Sequence, residues 1–176
     1  MQYIMKSGVL YKGDNHIVCA SVKSMLIGPA KKICKGTGEM LLEANIRQLD
    51  EAAEHNGDVR YREYVLIDDK GNATVSAFPG YAEGEDPGME GWPICRMPRV
   101  DHANVTIDGA GYLLTMHNSQ NYTMRNIENA EVLRIMHKGI VGGWTLEDNY
   151  GFTPEILCGI FTFCRYIEQE NELMFV

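Results

Sequence analysis

No apolar run approaches the ~18 residues that a membrane-spanning helix needs, so no such helix is expected in this chain of 176 residues. The opening residues, Met1 to Gly8, lack a basic segment followed by an apolar one, which excludes a secretory signal and makes the cytoplasm the expected compartment. The five cysteines (Cys19, Cys34, Cys95, Cys158, Cys164) are odd in number and contain no C-x-x-C pair. That argues against a disulfide framework and a cysteine zinc site, and reduced, mostly buried thiols are expected. The histidines (His16, His55, His102, His117, His137) form no H-x-x-x-H or H-E-x-x-H pair, and no P-loop is present. Nothing therefore implies a metal or a cofactor. Cations are in the minority: Lys and Arg number 16 against 24 Asp and Glu, for a net charge of −8. This opposes general nucleic-acid binding and broad adsorption to anionic membranes.

What is present is ordinary in amount, with 45% hydrophobic and 23% charged residues, enough for one folded domain over 1–176. Turn signals recur at short intervals. They include Lys12-Gly13-Asp14-Asn15, Gly28-Pro29, Lys35-Gly36-Thr37-Gly38, His55-Asn56-Gly57-Asp58, Asp69-Lys70-Gly71-Asn72, Asp108-Gly109 and Gly142-Gly143. Between them lie short segments rich in Val, Ile, Leu, Tyr and Thr, the pattern of an antiparallel meander or barrel. Arg60 to Asp68 and Tyr122 to Ile127 alternate as strands do. Met40 to Asp50 fits a strand or a helix, and Glu51 to Glu54 extends the helical option. Val65 to Gly71 and Val105 to Gly111 share V-x-I-D-x-x-G, read as strands running into hairpin turns where Asp bonds back and Gly supplies positive φ. Residues Phe78 to Arg99 hold four of the six prolines and an acidic run, a long excursion between strands.

The most informative segment is C-terminal. Thr153-Pro154-Glu155 is a helix start, with an N-cap, a proline at the first position and a carboxylate in the first turn. Ile156 to Cys164 then contains no charge and one hydroxyl. A helix apolar on all sides is buried on all sides, and these residues span only about 14 Å, too short for a bilayer. In a β domain, a sheet closed around the helix can bury it. Gly159 marks a close approach by a strand, and the charges from Arg165 and Glu168 to Glu172 are expected at the surface.

Ile107-Asp108-x-x-Gly111, Tyr122-Thr-Met, Val132-Leu-Arg-Ile135, Gly143-Trp144-Thr-Leu and Phe152 to Ile167 together resemble the tubby-like superfamily. It includes the tubby C-terminal domain, the phospholipid scramblases and the LURP-one-related proteins. The resemblance covers Val105 to Ile167 and implies a mainly β fold: a closed antiparallel barrel of about twelve strands around a central hydrophobic helix near residues 154–170. It also implies a phosphoinositide or phospholipid head group as ligand, held by surface Lys and Arg.

The nearest basic cluster is Lys31, Lys32 and Lys35, with Lys23, beside the turn at Gly36 and Gly38, where backbone N–H groups can hold a phosphate. Trp92, flanked by Gly91 and Pro93, is a candidate contact for a protein partner. Glu83, Glu85, Asp86 and Glu90 offer oxygen ligands but lack the spacing of a calcium loop. Asp101 next to His102 could orient a general base, with Cys95 as the nucleophile of a dyad, yet nothing ties the two together. With no catalytic constellation, the expected function is a non-enzymatic module that binds a partner through loops or the barrel exterior. The alternatives are a protein that binds a phosphorylated lipid head group and an enzyme with a Cys/His pocket at the barrel mouth.

Overall fold

A computed structural model describes residues 1–13, 16–26, 28–49 and 57–172. The expected turn at Asp14-Asn15, the helical option at Glu51 to Glu54, and His55-Asn56 lie outside these residues. Within them, twelve strands close into an antiparallel barrel: β1 Gln2–Lys6, β2 Val9–Lys12, β3 Ile17–Ser24, β4 Lys31–Lys35, β5 Met40–Gln48, β6 Arg62–Ile67, β7 Ala73–Tyr81, β8 Val100–Ile107, β9 Ala110–Asn118, β10 Asn121–Asn126, β11 Glu131–His137 and β12 Trp144–Asp148. Each strand pairs with its neighbours in sequence. β12 closes on β1, with Tyr3 opposite Leu146, so no edge is left open. The ambiguous stretch from Met40 is therefore a strand.

Alternation sets the inside of the barrel. Tyr112, Leu114 and Met116 on β9 and Tyr122 and Met124 on β10 are buried while their neighbours are more exposed. Fully buried alanines (Ala20, Ala44, Ala77, Ala103) leave room in the lumen, and α1, Pro154–Glu172, fills it. Its start is as expected: Ile156 N–H donates to Thr153 Oγ1 (3.4 Å), and Pro154 is the first helical residue. Leu157, Cys158, Gly159 and Ile160 are consecutive and all buried. Four successive residues sweep about 300° of a helix, so α1 is enclosed at this level on nearly every side.

Two expectations for the helix need correction. Its apolar circumference is not uniformly covered, because Phe161 is only half-buried and packs edge-on against Trp144 (5.4 Å between ring centroids). α1 leans towards β3–β6 and β8, which leaves this side to be roofed by an indole, with the Arg165 guanidinium 5.5 Å from the Trp144 ring centre. The other correction is Glu170, which is buried rather than at the surface, held by the Arg62 guanidinium and by Tyr64 OH (3.2 Å).

The shared V-x-I-D-x-x-G segments make different turns. Asp68 accepts from Lys70 N–H and Asn72 N–H, and Gly71 has φ +84°, as expected. In the second segment Asp108 and Gly109 are the two residues with positive φ, a tight two-residue turn, and Gly111 already lies in β9.

Candidate binding surfaces at one end of the barrel

Because strands alternate in direction, the connections after odd-numbered strands share one end of the barrel. Tyr166 OH donates to the Pro29 carbonyl (2.6 Å), and the Asn171 side chain bonds both Val100 N–H and C=O. These bonds place the C-terminus of α1 at that same end, called here the far end.

The basic cluster expected from sequence is divided by this geometry. Lys31 and Lys32 begin β4 at the far end, whereas Lys35, Gly36 and Gly38 sit at the near end, about 10–16 Å away at the rise of a strand. Lys35 is paired with Glu39 (3.2 Å). Gly36 serves packing, since a Cβ there would lie 2.6 Å from the Val18 carbonyl oxygen. Gly38, at φ +90°, closes the turn by donating its N–H to the Lys35 carbonyl.

At the far end, Lys32 stands directly opposite Lys23 on β3, and Lys31 donates to Ser24 Oγ (3.0 Å). Lys23, Ser24, Met25, Leu26 and Lys32 line a groove of about 460 Å³. Like charges placed directly across two strands destabilise the pair, a cost that a bound anion would relieve. The neighbouring connections continue the surface. Gly8 packs on β3, its carbonyl accepting from Val22 N–H (2.7 Å), and a Cβ on Gly143 would lie 2.9 Å from the Met5 carbonyl oxygen and 3.5 Å from Lys6 Cβ. Three adjacent connections thus present Lys6, Lys23, Lys31, Lys32 and Lys138, and from them Leu26, Ile140 and Val141 project into solvent.

Sequence reading found Lys23, Lys31 and Lys32 but not their continuation to Lys6 and Lys138, because net charge conceals distribution. Residues 1–38 and 131–148, the six contiguous strands β11, β12 and β1–β4, contain eight Lys and Arg and four Asp and Glu, a balance of +4. The remainder of the chain, with eight against twenty, carries −12. Seven of the eight lysines fall in the basic half, which is the signal that could have revealed it.

The acidic side of the far end is built around the β7–β8 connection. This loop is internally organised: Trp92 Nε1 donates to the Arg96 carbonyl (2.9 Å), the Arg96 guanidinium lies 4.9 Å from the Trp92 ring centre, and Glu85 pairs with Arg96 and accepts Arg99 N–H. Trp92 is half-buried within its own loop, and the side chain fully offered to solvent is Ile94. Glu85 and Asp86 are engaged with arginines. Among the described residues, no group of three His, Cys, Asp or Glu converges as a metal site requires. Asp101 Oδ1 does meet His102 Nδ1 (2.7 Å), and the imidazole lies over Gly80. Among the described residues no hydrogen bond joins that pair to Cys95, which stands exposed.

Beneath this loop lies a pocket of about 620 Å³, with Val59, Pro87, Met97, Pro98 and Val100 as apolar wall. Its polar groups are Asp58, Arg60, Tyr81 and Glu170. Tyr81 OH donates to Asp58 Oδ1 (3.1 Å) and accepts Val59 N–H (3.2 Å). Arg60 grips Asp58 through Nε and Nη2 and reaches Asp86. Burial pushes the Tyr81 phenol up to about 12. Burial would also raise Asp58, but the hydrogen bonds from Arg60 outweigh it and hold the carboxyl below its usual range. Tyr64 is held well above the usual phenol value by burial and by the neighbouring Glu170.

Comparison with protein-family models, with curated proteins and with solved structures found no match to this chain.

Proposed function

We propose that the chain is a non-catalytic, tubby-like barrel module that docks on anionic membrane surfaces through the basic side of its far end. One observation carries the reading: adjacent connections present five lysines, and from them Leu26, Ile140 and Val141 project into solvent. Each lysine near an anionic leaflet contributes about 1 kcal/mol, and aliphatic tips that enter the interface add to this. The Lys23–Lys32 groove is the place where a phosphate head group is held. The acidic β7–β8 loop faces the same end from the other side, so docking is tilted, with the basic side down. The tubby-like part is supported by the architecture, twelve antiparallel strands closed around a C-terminal helix.

Sedimentation with phosphatidylcholine vesicles, with and without phosphatidylserine or a phosphoinositide, tests the proposal. Binding is expected only to the anionic vesicles, and it should weaken as salt rises from about 0.1 to 0.5 M, where the screening length falls well below 10 Å. The Lys23→Glu/Lys32→Glu protein should not sediment, and Leu26→Ser should weaken binding while keeping its salt dependence. Equal binding to neutral and anionic vesicles, or none to either, overturns the reading.

A further inference from the structure

The pocket beneath the β7–β8 loop lies outside the surface assigned to the membrane, and its charge is of the other sign. We infer that it is a small-molecule site for an amphiphilic amine, a ligand with an apolar body and one cationic head. Its volume, about 620 Å³, falls in the range of ordinary ligand pockets, which are mostly apolar with a few convergent polar groups. Here the apolar groups form the wall (Val59, Met97, Pro98, Val100), and the carboxylate of Glu170 is the acceptor, Asp58 being already occupied by Arg60 and Tyr81.

The preference for a cation follows from the ionic groups around the floor. Of the charged side chains that line the pocket, Asp58 and Glu170 are carboxylates and Arg60 is the one cation, while Arg62 engages Glu170 from outside the lining. Arg60 is committed on both sides, to Asp58 and Asp86, so it offers little to an anion. Glu170 accepts only from Arg62 and Tyr64 among the described residues, and a carboxylate has capacity for about four such bonds. An ammonium reaching Glu170 would use that spare capacity, while its chain lies along Met97 and Val100.

The site is also preorganised. Successive backbone bonds (Glu85 N–H to Ala82, Met89 N–H to Asp86, Trp92 N–H to Met89, Arg96 N–H to Pro93) fold the loop into linked turns. With the Trp92–Arg96–Glu85 contacts, they hold the pocket's roof without any ligand.

The test uses hexylammonium and hexanoate as probes, followed by amide NMR shifts of the whole chain. Hexylammonium should move Asp58, Val59, Arg60, Tyr81, Val100 and Glu170 in a saturable way, with a Kd of about 1–10 mM as suits so small a probe. Hexanoate should bind at least about tenfold more weakly, since like charges oppose it. Met97 is exposed, so Met97→Arg should leave the fold intact and weaken hexylammonium by about tenfold, whereas Met97→Leu should change it less than about twofold. The Lys23→Glu/Lys32→Glu protein should bind hexylammonium as the unaltered chain does, which separates this site from membrane docking. No saturable shift, equal binding of hexanoate, or shifts confined to the Leu26 and Ile140 connections would overturn the inference.

Discussion

Gly159 of α1 lies directly against Leu66 of β6: a Cβ on the glycine would stand 2.2 Å from Leu66 Cδ1 and 3.0 Å from its Cγ. Leu66 is fully buried, so its side chain has little room to turn away. The position sets two effects against each other. Alanine is the better helix former by about 1 kcal/mol, but forcing a methyl group into a filled core costs about 1–3 kcal/mol. Steric conflict should win, and Gly159→Ala is expected to lower stability by about 1–2 kcal/mol in urea unfolding, with an unchanged slope. In the Leu66→Ala background the same change should cost less or become favourable, because the new methyl group enters the cavity. A rise in stability from Gly159→Ala alone would show that the contact is not as described.

Neighbouring helical positions should differ sharply in their tolerance of charge. Ile160 is fully buried among the strands, and Phe161 lies half-exposed under Trp144. Ile160→Lys is expected to prevent soluble folding, since an unpaired buried charge costs several kcal/mol against a total stability of about 5–15 kcal/mol. Phe161→Asp can turn its carboxylate to solvent and towards Arg165. It should lose about 2–4 kcal/mol, mainly the aromatic contact, and still purify as a folded protein. Expression level and thermal melting of the two variants provide the check, and the reverse order would place the open side of the barrel elsewhere.

The barrel and its helix were legible in sequence because each has a local cause. Alternation at Tyr122 and Met124, turn residues such as Asp68 and Gly71, and an uncharged run from Ile156 to Cys164 act within a few residues of chain. The basic surface was not legible. It joins Lys23 and Lys32, paired across the β3–β4 hairpin, to Lys6 on β1 and, through closure between β12 and β1, to Lys138. A local cluster was the natural substitute, and it mixed lysines from opposite ends of β4. Trp92 is less exposed than its proline and glycine neighbours suggest, because its partner Arg96 is four residues on and folds the loop against it. Glu170 was legible in principle. Phe163, Tyr166, Ile167 and Glu170 share one helical face at spacings of three and four, and that face is the buried one.

The burial of Glu170 leads to a sharp contrast along the last turn of α1. Its carboxylate holds the Arg62 guanidinium at the mouth of the barrel, and both side chains are largely removed from water. Arg62 Nε is already buried without a hydrogen-bond partner among the described residues, so the guanidinium depends on Glu170 for its compensation. Removing the carboxylate strands a buried cation and the Tyr64 hydroxyl together. Glu170→Ala is therefore expected to cost about 3–5 kcal/mol, the range for breaking a buried pair by deleting one partner. Glu172, exposed two residues later, should tolerate Glu172→Gln within about 0.5 kcal/mol. Replacing both partners, as in Arg62→Met/Glu170→Leu, should recover most of the loss, since no charge is then left without its counterion. Denaturant melts of the four proteins test the series. If Glu170→Ala matched Glu172→Gln, the last turn of α1 would have to lie outside the barrel mouth, and the floor of the amine pocket would be lost with it.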